Sequence, residues 1–97
     1  MIKFYYNTGP NPMKVALFLE EANIDYEAIP VDTRKGEQHK DNYLKINPNA
    51  KAPTIVDGDN VIFDSNAILL YLGEKTNNFM PNNDLKSKSE LYSWLMF

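Results

Sequence analysis

Apolar residues in this chain fall into short clusters separated by polar segments that contain glycine or proline. The aromatic run Ile2–Tyr6 ends at the turn-forming segment Asn7–Pro10, which predicts a strand followed by a turn. Asn11 and Pro12 then predict a helix start, with Asn11 as the N-cap and Pro12 at the first helical position. The apolar run Val15–Leu19 lies within this helix, which we expect to end near residue 23.

The next clusters predict a second strand and an irregular connection. Tyr26–Val31 is expected to be a strand, and Pro30 within it indicates an edge position, because proline cannot donate to a neighbouring strand. A strand–helix–strand order of this spacing predicts a parallel, right-handed βαβ unit. Asp32–Lys40 is polar and is expected to be a loop, and Asn42–Ile46 is expected to form one or two helical turns.

The second half of the pattern predicts a hairpin and a helix. Thr54–Val56 and Val61–Phe63 flank the turn-rich segment Asp57–Asn60, which indicates two antiparallel strands. Asp64–Ser65 is expected to cap a helix over Asn66–Lys75. The order βαβ, irregular helix, ββα predicts an α/β fold.

The last segments predict a change of domain. Pro81–Asp84 has the composition of a linker, and a new helix is expected from Leu85 to Phe97, where the chain ends on an apolar run. The Asn66–Lys75 helix is apolar all round over Ala67–Leu72, so we expect the sheet to cover one side and another domain or subunit to cover the other. We therefore expect two regions: a domain over residues 1–80, and a linker with the truncated first helix of an all-α C-terminal domain over residues 81–97.

Composition excludes several classes of function. The net charge is −3 among 24% charged residues, which argues against nucleic-acid or anionic-membrane partners. With no cysteine and a single histidine, the 97 residues offer no disulfide framework and no Cys- or His-based metal site. No secretory signal pattern is visible and the longest apolar run is six residues, so a cytoplasmic protein is expected.

Three places carry candidate chemistry, and the first is Ala52–Pro53. A proline that opens a strand commonly marks a sheet edge, and spacing alone favours that interpretation. If the peptide bond is cis, however, Ala52 would present its N–H and C=O outward, and a short peptide could pair with it as an added strand.

The second place is Asp64–Ser65, where simple N-capping is a sufficient explanation. The functional alternative is a site for an amino-acid head group. Free N–H groups at the helix start and the Ser65 hydroxyl would bind a carboxylate, while Asp64 would attract the adjacent ammonium group.

The third place is Thr8–Pro12, which a turn and an Asn cap would also explain. The functional alternative makes Thr8 and Asn11 hydrogen-bond donors near a helix N-terminus, where the pKa of a ligand thiol would be lowered. Tyr5 and Tyr6 lie in the preceding strand, and Tyr6 is a rival thiol donor.

The joint order of these motifs resembles a known family. The segments 47–56 (NPNAKAPTIV) and 63–72 (FDSNAILLYL) are similar to the N-terminal domain of glutathione S-transferases, and the resemblance covers residues 1–81. It implies a thioredoxin-like fold with Pro53 as a cis-proline. It also implies that Ala52 pairs with the cysteinyl backbone of glutathione, that Asp64 and Ser65 hold its γ-glutamyl group, and that Gln38 and Lys51 hold its glycine end.

The Thr8–Pro12 segment is similar to that of bacterial Nu-type transferases, which use Thr-Pro-Asn without a catalytic Cys, Tyr or Ser. This chain departs from that pattern, because Gly9 stands where the threonine is expected and Thr8 is one place early. As the group that activates the thiol we favour Asn11 over Thr8.

The resemblance implies an enzyme that uses glutathione as co-substrate and needs no metal. Its reaction would be conjugation of the thiol to a small electrophile or thiol–disulfide exchange, and the full-length protein would be a homodimer. The alternative is a non-catalytic module of the same fold that serves assembly or regulation.

Overall fold

The computed structural model describes residues 1–96, and within them it has four strands and four helices. The strands are β1 (Ile2–Tyr6), β2 (Tyr26–Pro30), β3 (Thr54–Asp57) and β4 (Asn60–Phe63). The helices are α1 (Pro10–Glu21), α2 (Asp41–Leu44), α3 (Ser65–Thr76) and α4 (Leu85–Met96). The segment expected to be a loop, 32–40, contains two short 3-10 turns, Thr33–Lys35 and Glu37–His39.

The four strands form one mixed sheet in the order β2-β1-β3-β4. β1 and β2 are parallel, as the βαβ prediction requires, and β3 is antiparallel to both β1 and β4. β2 is an edge strand and Pro30 is its last residue, so the edge prediction is confirmed. This mixed sheet with its helices is the thioredoxin-like α/β fold predicted from the sequence.

The alternation of side chains along β1 divides the molecule into two sides. Ile2 and Phe4 lie in the main core, where they pack with residues of β3, α1 and α3: Ile55, Val15, Leu19, Ile68 and Leu72. Successive strand residues point to opposite faces, so Lys3 and Tyr5 lie on the other face. There Tyr5 contacts Tyr43 of α2, with ring centroids 5.7 Å apart. The short helix α2 is therefore held against this second face of the sheet.

Helix α1 begins earlier than the sequence predicted. Gly9 is its N-cap and Pro10 its first residue, so the prediction of Asn11 as N-cap is wrong. The proline ring fixes φ at a helical value, and the Gly9 N–H is bonded instead by the Asn7 side chain at 2.8 Å. Asn11 consequently lies in the first turn of the helix.

Helix α3 has one fully buried side. Ile68 and Leu72 are completely buried, whereas Leu69, Leu70 and Tyr71 are half-buried. One covered side agrees with the sequence interpretation, and cover on the opposite side by another domain or subunit stays a prediction.

The segment after α3 folds back on the domain before α4 begins. Phe79 packs edge-on against Phe18 of α1, with ring centroids 5.2 Å apart. Asp84 caps α4 by accepting a 2.8 Å hydrogen bond from the Ser87 N–H, so the helix starts at Leu85 as predicted. None of the helices over residues 1–96 is long and apolar enough to cross a membrane. The predicted last helical residue, Phe97, lies outside the described residues.

Candidate functional site

A cavity of about 390 Å³ opens where the segment before β3 meets the N-terminal ends of α1 and α3. Six of the residues predicted for the site line it: Asn11, Lys51, Ala52, Pro53, Asp64 and Ser65. Asn47, Asn49 and Phe63 complete its wall. Three segments that are distant in sequence therefore meet around one space, which we call the cleft.

The turn at Ala52–Pro53 forms one side of the cleft, and its peptide bond is cis. The strand that follows, β3, lies between β1 and β4, so the alternative in which Pro53 marks a sheet edge is wrong. β3 begins only at Thr54, and within residues 1–96 the N–H and C=O of Ala52 form no hydrogen bond. Both groups are available to a ligand.

A buried polar cluster, which we define as Tyr43, Asn47 and Thr54, lies directly behind this turn. The Tyr43 hydroxyl and Asn47 Nδ2 both donate to the carbonyl oxygen of Lys51, the latter at 3.0 Å. Asn47 Nδ2 also donates to Thr54 Oγ1 at 3.2 Å, and the Tyr43 and Thr54 hydroxyls are 2.9 Å apart. Burial raises the pKa of the Tyr43 hydroxyl, so it remains a neutral donor at physiological pH.

Asp64 and Ser65 form the opposite side of the cleft at the start of α3. Asp64 Oδ2 accepts a 3.1 Å hydrogen bond from the Ala67 N–H, so the capping interpretation is confirmed. Capping uses one carboxylate oxygen, and the other has no partner within residues 1–96. The Asp64 backbone is at φ 74° and ψ 123°, a sparsely populated region for a residue with a Cβ atom. Ser65 is 7% exposed, and its hydroxyl bonds no other group among the described residues.

Asn11 and Thr8, the two residues proposed to activate a thiol, are separated by the structure. Asn11 is exposed in the first turn of α1 and lines the cleft. Thr8 lines a different cavity of about 620 Å³, together with Tyr6 and Thr33. Of the residues considered for this role, only Asn11 therefore lines the cleft, while Tyr6 and Thr8 line the second cavity.

The two residues predicted for the glycine end of a ligand also differ in position. Lys51 is exposed at the cleft wall, whereas Gln38 is half-buried in the second 3-10 turn and does not line the cleft. Gln38 Oε1 is buried with no hydrogen-bond partner within residues 1–96. The structure thus brings Lys51, but not Gln38, to the site.

Sequence reasoning assigned no role to Asn47, Asn49 or Phe63, although all three line the cleft. Asn47 could have been found, because an asparagine before a proline in a segment that returns to a buried strand needs hydrogen-bond partners. Phe63 carried no such signal, since its position as the last residue of β4 suggested only a strand end. Among residues 1–96 no group of three or more His, Cys, Asp or Glu side chains is placed to hold a metal ion.

Comparison with known proteins agrees with this geometry. The family profile described as glutathione S-transferase, N-terminal domain, matches residues 1–74. The Disulfide-bond oxidoreductase YfcG of Escherichia coli is 42% identical over the whole of this chain, which covers 48% of that protein. Glutathione S-transferase 2 of Schizosaccharomyces pombe is 50% identical over 69% of the chain and 30% of its own length.

Solved structures give the same result. A glutathione transferase family member from Pseudomonas fluorescens with two glutathione molecules bound superposes with a TM-score of 0.90 and 33% identity. The match covers 99% of this chain and 44% of that one, so the chain spans about half the length of the relatives it matches, or less. The matched fold, the cis-proline turn and the profile over residues 1–74 together place this chain in the glutathione S-transferase family, as an N-terminal domain.

Proposed function

We propose that the cleft binds glutathione and stabilises its thiolate, so that the protein acts as a glutathione-dependent enzyme. The observation that carries the proposal is the convergence of Asn11, Lys51, Ala52, Asp64 and Ser65 on one cavity. Each of these residues complements a different part of the tripeptide. Residues 1–80 would be the glutathione-binding domain, and residues 81–97 a linker with the first helix of a helical second domain.

The γ-glutamyl end would bind at the start of α3. Its ammonium group would pair with the Asp64 oxygen that does not cap the helix. Its carboxylate would accept hydrogen bonds from the Ser65 hydroxyl and from free N–H groups in the first helical turn, where the helix dipole favours negative charge. The close placement of an acidic side chain and an anion-binding helix end suits a head group that carries both charges.

The middle and the glycine end would bind along the cis-proline turn. The free N–H and C=O of Ala52 would pair with the cysteinyl backbone of glutathione in the manner of an added strand. The Lys51 ammonium, exposed on the same wall, would attract the glycine carboxylate. Gln38 could assist only if its side chain turned toward the cleft.

Asn11 would stabilise the thiolate from the N-terminal turn of α1. A thiol with a pKa of about 8.5 is only a few per cent ionised at pH 7, and lowering that pKa by about two units makes most of it thiolate. The 97 residues contain no cysteine, so the reactive sulfur would be that of glutathione. Its thiolate would displace a leaving group from an electrophilic carbon, or attack a disulfide and release the other sulfur as thiolate.

Both reactions have support among the relatives. The relative that spans the whole chain is named a disulfide-bond oxidoreductase, whereas the one with the highest identity quoted above is named a transferase. We favour exchange with a small disulfide, and propose conjugation as the second activity of the same thiolate. The longer protein would be a cytoplasmic homodimer.

The decisive experiment is calorimetric titration of the full-length protein with glutathione, followed by two turnover assays. One assay supplies a small disulfide and the other an aryl halide. Binding with disulfide turnover supports the proposal, while binding without turnover in either assay identifies a non-catalytic module. Absence of glutathione binding overturns the proposal altogether.

A further inference from the structure

We propose that the buried cluster Tyr43–Asn47–Thr54 is a positioning device that holds the Ala52 N–H in the direction needed to bind a ligand. The inference rests on the proposed function, because Ala52 matters only if a peptide such as glutathione pairs with it. The three side chains are not themselves catalytic, since they lie behind the turn. They would act through the carbonyl group of Lys51.

The cluster is sealed from solvent and its hydrogen bonds form a consistent set. Tyr43, Asn47 and Thr54 are 4%, 1% and 0% exposed. Since Tyr43 has one proton and gives it to the Lys51 oxygen, the Thr54 hydroxyl donates to the Tyr43 oxygen. The two protons of Asn47 Nδ2 go to the Lys51 and Thr54 oxygens, and Asn47 Oδ1 accepts from the Asn49 N–H at 3.0 Å.

This arrangement saturates one carbonyl oxygen. The Lys51 oxygen has two lone pairs and receives two short donors, the Tyr43 hydroxyl and Asn47 Nδ2. Turning that carbonyl away would leave two buried donors unpaired, which is costly for side chains shielded from solvent. The orientation of the peptide group between Lys51 and Ala52 is therefore strongly determined.

That peptide group also contains the Ala52 N–H. The Ala52–Pro53 bond is the cis bond of residues 1–96, so the Lys51–Ala52 bond is trans. In a planar trans peptide the C=O and N–H point in opposite directions. With the Lys51 oxygen held inward by the cluster, the Ala52 N–H must point outward. The Ala52 residue lines the cleft on that side, and its N–H is unbonded there.

A donor held in place before a ligand arrives loses little conformational freedom on binding, which improves affinity. A purely structural role for the cluster predicts something different. In that case losing the cluster would lower the stability of the fold. Ligand affinity would then fall in proportion to the stability lost, whether or not the substituted residue lies behind the Ala52 turn.

The test compares Tyr43→Phe and Thr54→Val with a matched control, Tyr71→Phe, in the full-length protein. Tyr71 also loses a hydroxyl that donates a 2.6 Å hydrogen bond, but that bond ties α3 to Asp57 and does not border the cleft. Glutathione affinity is measured by calorimetry, and the backbone order parameter of the Ala52 amide by nitrogen-15 relaxation without ligand. Thermal melts show how much stability each variant has lost.

We expect both cluster variants to bind glutathione about fivefold to tenfold more weakly, the equivalent of one lost hydrogen bond, and Tyr71→Phe to bind as the wild type does. The Ala52 order parameter should fall from the rigid value of about 0.85 in the cluster variants only. An unchanged Ala52 order parameter in both cluster variants overturns the inference, as does a loss of affinity that is equal in Tyr71→Phe. If the wild-type protein fails to bind glutathione, the proposed function fails, and the ligand-free order parameters still decide whether the cluster fixes the Ala52 amide.

Discussion

The Tyr71 hydroxyl of α3 donates a 2.6 Å hydrogen bond to Asp57 Oδ2 at the end of β3. The Lys75 ammonium donates to the same oxygen, so one carboxylate joins the helix to the hairpin. The hydrogen bonds from Lys75 and, next, from Tyr71 hold the pKa of Asp57 below its usual value. The contact is on the opposite end of the hairpin from the cleft.

This contact predicts a dependence of stability on acid. Because the pKa of Asp57 is lower in the folded chain than in the unfolded one, its contribution is complete above the unfolded pKa of about 3.9 and is lost as the pH falls through the folded pKa. Asp57→Asn should therefore flatten the decrease in melting temperature below about pH 4. Asp59→Asn, an exposed neighbour in the hairpin turn, is the control and should leave that decrease unchanged. Equal curves for Asp57→Asn and the wild type would show that the ion pair has no effect on folding.

Replacing Gly73 with alanine is expected to overpack the contact between α3 and the segment that follows it. A Cβ atom at this position would lie 2.5 Å from Met80 Sδ and 3.2 Å from Met80 Cγ. Alanine normally stabilises a helix interior by about 1 kcal/mol relative to glycine, but here the clash should reverse the sign and cost about 1–3 kcal/mol. Chemical denaturation of Gly73→Ala, Met80→Ala and the double variant measures the coupling. The double variant should be more stable than the sum of the single changes, and simple additivity would contradict the contact.

Replacing Ala50 with glycine is expected to stabilise the protein. Its φ is 56°, a left-handed value that costs a residue with a Cβ atom roughly 1–2 kcal/mol. Ala50→Gly should remove that cost at the expense of a more flexible unfolded chain, for a net gain of about 0.5–1 kcal/mol. Ala28→Gly in the exposed strand β2 is the matched control and should destabilise. A loss of stability in both variants would refute the assignment of strain to Ala50.

Ser65 predicts a change in binding without a change in fold. Its hydroxyl makes no hydrogen bond within residues 1–96, and Asp64 provides the helix cap. Ser65→Ala should therefore melt as the wild type does, yet weaken glutathione binding by about 1–3 kcal/mol, because it removes a hydrogen bond to a charged carboxylate. The control is Ser89→Ala on α4, whose hydroxyl donates a hydrogen bond to the Lys86 carbonyl. Unchanged affinity in Ser65→Ala would leave the start of α3 as a cap and nothing more.

The surface of α4 predicts self-association of the 97-residue polypeptide. Leu85, Tyr92 and Met96 lie on one face of the helix and are 83%, 45% and 64% exposed. Light scattering should show oligomers, and the pair of changes Leu85→Lys and Tyr92→Lys should reduce them. A control with two lysines elsewhere, Asn82→Lys with Ser93→Lys, should still associate. A monomeric, thermally stable and active 97-residue chain would contradict the expectation that this face needs a covering partner.

The strands, helices and their order could be predicted because each depends on a local pattern. β1 and the hairpin follow from short apolar runs between turn residues, and α3 follows from the Asp64 cap. The start of α1 could not be predicted from propensity, because Asn11 is a good cap and loses only to the neighbouring Pro10. The local sequence is compatible with an N-cap at Gly9 or at Asn11, and Pro10 as the first helical residue selects Gly9.

The candidate site was predictable where it depends on motif residues and unpredictable where it depends on backbone direction. The residues Ala52, Pro53, Asp64 and Ser65 were found from their order in the sequence, and the structure brings them together. The inward turn of the Lys51 carbonyl was not predictable, because it is fixed by the side chains of Tyr43 and Asn47, eight and four residues before it. Hydrogen bonds of this kind appear only when the chain is folded.

The β3–β4 hairpin has its open end at the cleft and its turn at the far end, which is useful for engineering. Residues 47–53 enter β3 and residues 63–65 leave β4 at the cleft, whereas the Gly58–Asp59 turn lies at the far end of four-residue strands, roughly 13 Å away. Gly58 and Asp59 are exposed. A fluorophore attached at this turn, or a short peptide tag inserted between the two residues, would stand clear of the ligand. Such a labelled protein would allow the proposed glutathione binding to be tested optically with the cleft intact.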